Sequence, residues 1–140
     1  MSDRRAIDCR NDVTTGEHLV YTELVLIVDD DNDILEMAAE TLRTFGYEVL
    51  TARNGLEAVA ILRKNSHVST LFTDIQMPGM GGEELAEVAV ALLPHIKVIL
   101  TSGCSRPRVN APFLQKPYRT NDLSRVFRSN RSHCNSDRGR

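Results

Sequence analysis

Four apolar runs organise the chain, and each ends in residues with chemistry of their own. Leu24-Val25-Leu26-Ile27-Val28 runs into Asp29, Asp30 and Asp31. Ser69-Thr70-Leu71-Phe72-Thr73 runs into Asp74 and then the turn Gln76-Met77-Pro78-Gly79-Met80-Gly81-Gly82. Ile96-Lys97-Val98-Ile99-Leu100 ends in Thr101 and Ser102, and Phe113-Leu114-Gln115 ends in Lys116-Pro117. Short apolar runs without strict alternation suit strands buried on both faces of a sheet. A further strand is predicted over 47–51, and the others over 24–28, 68–73, 95–100 and 111–115.

The intervening stretches carry helical spacing. Ile34, Leu35, Ala38, Thr41, Leu42 and Phe45 recur at three- and four-residue intervals, and Gly46 ends that helix. Asn54 is placed to cap a second helix whose apolar side would comprise Leu56, Ala58, Val59, Ile61 and Leu62. A third is predicted over 82–92, stopped before Pro94, and a fourth after a Thr120 cap, carrying Leu123, Val126 and Phe127. Strict alternation of strand and helix predicts an α/β fold: a parallel sheet, doubly wound by right-handed crossovers.

In such a sheet the strand ends share one edge, and ligands bind beyond the carboxyl ends. Asp29, Asp30, Asp74, Thr101 and Lys116 should therefore converge. Mg²⁺ takes an octahedron of oxygens, keeps several waters, and needs one or two carboxylates plus phosphate oxygens. Adjacent strand-end side chains point in opposite directions. This favours Asp30 as a direct ligand and Asp29 as one acting through water, with the backbone carbonyl of Gln76 as a further oxygen. Acids also favour a helix amino end, by about 0.3–1 kcal/mol, and Asp31, Asn32 and Asp33 fit that simpler role. Asp29, Asp31, Asp33 and Glu40 also fall at the first, third, fifth and twelfth places of a calcium loop. Ile34 stands where that loop needs glycine for its sharp turn.

Composition adds limits rather than chemistry. With 140 residues, 41% hydrophobic, 26% charged and a net charge of −2, the chain reads as one globular domain with no general attraction for nucleic acid. No apolar stretch approaches the ~20 residues of a membrane helix. Nor does a signal-peptide core follow Met1-Ser2-Asp3-Arg4-Arg5. Cys9, Cys104 and Cys134 are odd in number and not spaced for a metal pair, which fits a reducing, cytoplasmic setting. Residues 1–22 read as a flexible N-terminal extension, 23–128 as the folded domain and 129–140 as a disordered basic tail.

The strand-end signals together resemble the receiver domain of two-component response regulators, over about residues 23–128. Val28-Asp29-Asp30 looks like the acidic pair of that family, and Asp74 with Met77-Pro78-Gly79-Met80 like its phosphoacceptor and following turn. Gly82 resembles the glycine closing that turn, Thr101 the hydroxyl residue, and Lys116-Pro117 the Lys-Pro pair. The resemblance implies a flavodoxin-like five-stranded sheet of order 2-1-3-4-5, a cis Lys116–Pro117 bond, and a switch in which Thr101 and Phe113 move after modification. It also implies that a phosphohistidine on a histidine kinase or phosphotransfer protein donates a phosphoryl group to Asp74 with Mg²⁺ present. The chain would thus catalyse its own phosphorylation and dephosphorylation and act as no enzyme toward other substrates.

Several departures stand out. Phe113 lacks the hydroxyl of the tyrosine alternative. Between Thr101 and Lys116, Pro107, Pro112 and weak apolar periodicity predict a short or missing fourth helix. Leu100-Thr101-Ser102-Gly103 only partly echoes the Phe-Ala-Thr-Gly sequence of receivers with a degenerate fourth helix, and Gly81 replaces the usual acid before Gly82. The expected function is a stand-alone phosphoacceptor that relays phosphate, drains it, or regulates an unknown downstream protein by contact, without binding DNA or membrane. Two alternatives remain: a phosphatase using the Asp29-x-Asp31 pattern, and an unphosphorylated interaction module of the same fold.

Overall fold

The computed structural model describes residues 23–103 and 111–128. The expected extension at 1–22, the tail at 129–140 and the core of the altered connection at 104–110 lie outside the described residues. Gly103, Ala111 and Pro112, flanking that connection, are not helical.

Five parallel strands form one sheet in the order β2-β1-β3-β4-β5. They are β1 (Leu24–Val28), β2 (Glu48–Ala52), β3 (Val68–Asp74), β4 (Lys97–Ser102) and β5 (Phe113–Gln115). The helices are α1 (Asn32–Thr44), α2 (Gly55–Lys64), α3 (Gly82–Leu92) and α4, helical over 120–128. The order and alternation match the flavodoxin-like expectation.

The apolar runs are explained by burial on both faces. Val25 and Ile27 of β1 face a cluster with Phe72, Ile99, Leu35 and Leu42 of α1, and Leu123 and Phe127 of α4. Leu26 and Val28 face a second cluster with Leu71, Ala58 and Leu62 of α2, and Leu85 and Ala89 of α3. In the first cluster the Phe72 ring lies 5.7 Å from Tyr118 and 5.6 Å from Phe127, which in turn lies 5.5 Å from Tyr47.

Several boundaries differ from expectation for identifiable reasons. Strand β2 begins at Glu48 because the Tyr47 N–H belongs to the preceding helix. It donates to the Leu42 carbonyl (3.2 Å) while Gly46 N–H donates to Arg43 (3.0 Å), the paired bonds of a Schellman closure with Gly46 at φ +99°. Strand β4 starts at Lys97, since Ile96 N–H closes a turn onto Leu93 (2.9 Å). It continues through Thr101 and Ser102 because these pair with Leu114 and Gln115. Strand β5 starts at Phe113, after a bend at Ala111. Strand β3 includes Asp74, which pairs with Thr101.

Capping agrees in part. Asn54 Oδ1 accepts from Glu57 N–H (2.8 Å), and the Glu57 carboxylate takes the Arg53 N–H (2.8 Å). Thr120 is not the cap of α4. Arg119 holds that place, its carbonyl accepting from Leu123 N–H (3.1 Å) and its N–H donating to Asp122 (2.9 Å). Leu56 is not on the apolar side of α2. Gly55, Ala58 and Leu62 share the inward stripe, and Leu56, one position off it, is 74% exposed.

Leu71→Ala, at a fully buried position, should lower unfolding free energy in urea by about 3 kcal/mol, and Leu56→Ala should change it by less than about 0.5. Equal effects would show that the inward stripe of α2 is wrongly drawn.

Candidate phosphoacceptor site

Three neighbouring aspartates at the end of β1 stand in three different settings. Asp29 is buried; its Oδ1 accepts from Asp31 N–H (2.9 Å) and its Oδ2 lies 2.8 Å from Lys116 Nζ. Asp30 is exposed. Asp31 turns the other way and caps α1, its Oδ1 accepting from the N–H groups of Asp33 (3.0 Å) and Ile34 (3.3 Å). The helix-end role expected for residues 31–33 is thus filled. Ile34 lies inside α1, as does Glu40, so the spacing of a calcium loop is carried by a helix.

Asp74 closes β3. Its Oδ1 accepts from Gln76 N–H (3.2 Å), and its Oδ2 lies 3.0 Å from Lys116 Nζ. Gln76 thus meets the cluster through its backbone N–H. The start of α3 crowds the same point. A Cβ at Gly82 would overlap the Asp74 carbonyl oxygen, and Gly82 N–H donates to the Ile75 carbonyl (2.8 Å). Gly55 plays a similar part nearby: a Cβ there would stand 2.7 Å from the Met80 Cβ, so the turn after Asp74 lies against the first turn of α2.

Lys116 is brought in by β5. Its N–H donates to the Ser102 carbonyl (2.9 Å), which fixes the strand end, and the Lys116–Pro117 bond is cis. Thr101, the neighbour of Asp74 in β4, has a buried hydroxyl without a hydrogen-bond partner, the one such side-chain atom among the described residues. A buried hydroxyl left unpaired costs about 1–3 kcal/mol, so it marks a place where a ligand atom could complete the site. Phe113 is half-buried and pairs with Leu100 at the far end of β5 from Lys116.

Asp29, Asp30 and Asp74 each offer an oxygen, and these oxygens all lie within 4.8 Å of one another. All-oxygen donors of this kind fit Mg²⁺ rather than a softer metal. Burial is the main influence on Asp29 and raises its carboxyl above the ordinary 3.8, with the Asp74 charge adding to it. The Lys116 hydrogen bond, the Asp31 N–H and the Lys116 charge only partly offset this. For Lys116, burial acts downward but is outweighed by the hydrogen bonds and charges of Asp29 and Asp74, so its ammonium is held above 10.5.

Sequence reasoning missed Tyr118. It is buried against Phe72, and its phenol is pushed up chiefly by burial, with the Asp29 and Asp74 charges contributing. Its position directly after Lys116-Pro117 was the available signal.

A doubly wound parallel sheet of order 2-1-3-4-5 with an acid cluster, a hydroxyl and a lysine at its carboxyl edge places the chain among the flavodoxin-like signalling domains. Within it, residues 25–127 match the response regulator receiver domain, and the chain belongs to that family, the receivers of two-component systems. It is 34% identical to the response regulator receiver protein CpdR of Brucella abortus over 107 residues, covering 71% of this chain and 88% of that one. It is 32% identical to the transcription factor SKN7 of Chaetomium thermophilum over 122 residues, covering 81% of this chain but 16% of that protein. A receiver domain protein from Methanospirillum hungatei superposes with a TM-score of 0.76 at 28% identity, covering 84% of this chain and 99% of that one.

The charges set a pH dependence. Lys116, raised on folding, adds stability that is complete below 10.5 and lost as pH rises through its folded value. Asp29, also raised, carries a cost that is absent below 3.8 and grows as pH rises through its folded value. In chelator, ¹³C NMR titration of the Asp29 carboxyl should give a midpoint above 3.8, moving further up in Lys116→Met. A midpoint that stays put in the variant would mean that the ammonium does not hold that carboxylate.

Proposed function

We propose that the chain is a phosphoacceptor: Asp74 takes a phosphoryl group from the phosphohistidine of a histidine kinase or phosphotransfer protein and so alters a partner surface. The observation that carries this reading is Lys116 Nζ at 3.0 Å from Asp74 Oδ2, with the partnerless Thr101 hydroxyl beside Asp74 on the next strand.

A carboxylate oxygen of Asp74 attacks phosphorus, the P–N bond to the donor histidine breaks, and its electron pair stays on the imidazole. The product is an acyl phosphate, later hydrolysed by water. Phosphoryl transfer of this kind depends mostly on positioning and charge neutralisation. Gln76 N–H orients the Oδ1 oxygen of Asp74. Lys116 supplies a compact positive charge for a phosphoryl oxygen, and the Thr101 hydroxyl donates to another. Asp30, exposed, suits direct ligation of Mg²⁺. Asp29, already engaged by Lys116 and Asp31 N–H, suits a ligand acting through water. Asp74 and the Gln76 carbonyl complete the set. When bound, Mg²⁺ would neutralise phosphoryl oxygens and draw them toward the acids.

The modification adds about −1.5 to −2 charge and three acceptor oxygens. Thr101 turns toward them and Phe113 follows inward, which changes the face that a downstream protein reads. The reading places the domain in the cytoplasm, without direct contact to DNA. Among the described residues no helix is long and apolar enough to cross a membrane. The competing phosphatase pattern needs Asp31 as an active-site acid, but its Oδ1 is engaged by two amides of α1.

Incubation with acetyl phosphate and Mg²⁺ should add one phosphoryl group to the intact mass, and Asp74→Asn or chelator should abolish the gain. An unlabelled wild type, a gain that survives Asp74→Asn, or steady turnover of a generic phosphate ester would each overturn this reading.

A further inference from the structure

We infer that Thr73 is a positioning residue for Asp74, holding the acceptor's main chain through its hydroxyl; this rests on the reading of Asp74 as phosphoacceptor. Thr73 is fully buried in β3, with Val28 and Leu100 as its register neighbours. An apolar side chain of the same shape would suit such a place without the cost of desolvating a hydroxyl. The Thr73 hydroxyl instead donates to the carbonyl oxygen of Asp74 at 3.0 Å.

That carbonyl is the point on which the placement of the acceptor turns. Gly82 abuts it so closely that a Cβ would overlap it. Beyond it, Ile75 N–H donates to the Thr101 carbonyl (2.8 Å) and the Ile75 carbonyl accepts from Gly82 N–H (2.8 Å). Both polar groups of Ile75 are therefore tied. Thr73 ties the carbonyl end of the peptide group that joins Asp74 to Ile75, whose N–H end is the one held by Thr101. Carbonyl and carboxylate spring from the same Cα, so rotation of that peptide group displaces the carboxylate from Lys116 Nζ and Gln76 N–H. Misplacement of a reacting group by about 1 Å can cost roughly a hundredfold in rate. Loss of one tether beside intact neighbours should cost less, about tenfold.

The test compares full-length wild type, Thr73→Val and Thr73→Ser, each first shown folded by thermal melting. Two readouts are taken: labelling kinetics with acetyl phosphate, and the ¹⁵N resonance of the Gln76 amide, which reports the Asp74 carboxylate in the unlabelled protein. Thr73→Val should lower the maximal labelling rate about tenfold, with half-saturating acetyl phosphate unchanged, and shift the Gln76 resonance. Thr73→Ser, which keeps the donor, should restore both. A folded Thr73→Val that labels within about twofold of wild type, with Gln76 unmoved, shows a hydroxyl satisfied locally and no more, and overturns the inference. If even the wild type fails to label, the phosphoacceptor reading falls. The Gln76 resonance then decides on Thr73 alone: a shift reversed by serine supports the tether, and no shift refutes it.

Discussion

One ammonium serves two carboxylates, and holding that contact is what the sheet edge has to do. Lys116 lies within 3.0 Å of both Asp29 and Asp74, all three side chains being largely removed from water. Acids buried at this density repel one another and lose hydration. The raised carboxyl of Asp29 shows that the lysine only partly offsets that cost. Breaking such a buried arrangement from one side typically costs about 3–5 kcal/mol. The geometry must therefore come from the rigid sheet beneath, where apolar contacts on both faces supply the stability that the rim consumes.

The rim sorts similar groups by direction. Three consecutive aspartates serve a lysine, the solvent and a helix end respectively, because the chain turns from strand to helix across them. Asp31 stabilises α1, and its own N–H anchors Asp29. The helix start and the acid cluster are therefore one hydrogen-bonded unit. The other strand ends behave likewise: the backbone of Lys116 is fixed to Ser102, and Ile75 to Thr101, so β3, β4 and β5 bring Asp74, Thr101 and Lys116 in as a connected row.

Much of this could be read from the chain. Continuous apolar runs ending in Asp, Thr and Lys pointed to parallel strands and to the residues at their ends, because burial on both faces and a shared edge are properties of pattern alone. What escaped was decided by hydrogen bonds between neighbours. Tyr47 looks like strand in composition, yet its N–H closes the preceding helix. Thr120 is the better cap by residue type, yet Asp122 reaches back to Arg119 and shifts the start. Leu56 fits a helical period but misses the inward stripe by one position. Thr73 and Tyr118 left no periodic trace, since one makes a local hydroxyl bond to the next residue and the other follows a turn. The expected shortening or loss of the fourth helix falls at 104–110, outside the described residues.

The near-contact between Gly82 and the Asp74 carbonyl bears on how this surface can diversify. Position 82 admits hydrogen and nothing larger without moving the backbone that carries the acid. The exposed positions around it, such as Gln76, Pro78 and Glu84, carry no such steric limit. Side-chain variation is thus sterically free a few residues away, while the seam between strand and helix stays closed to change.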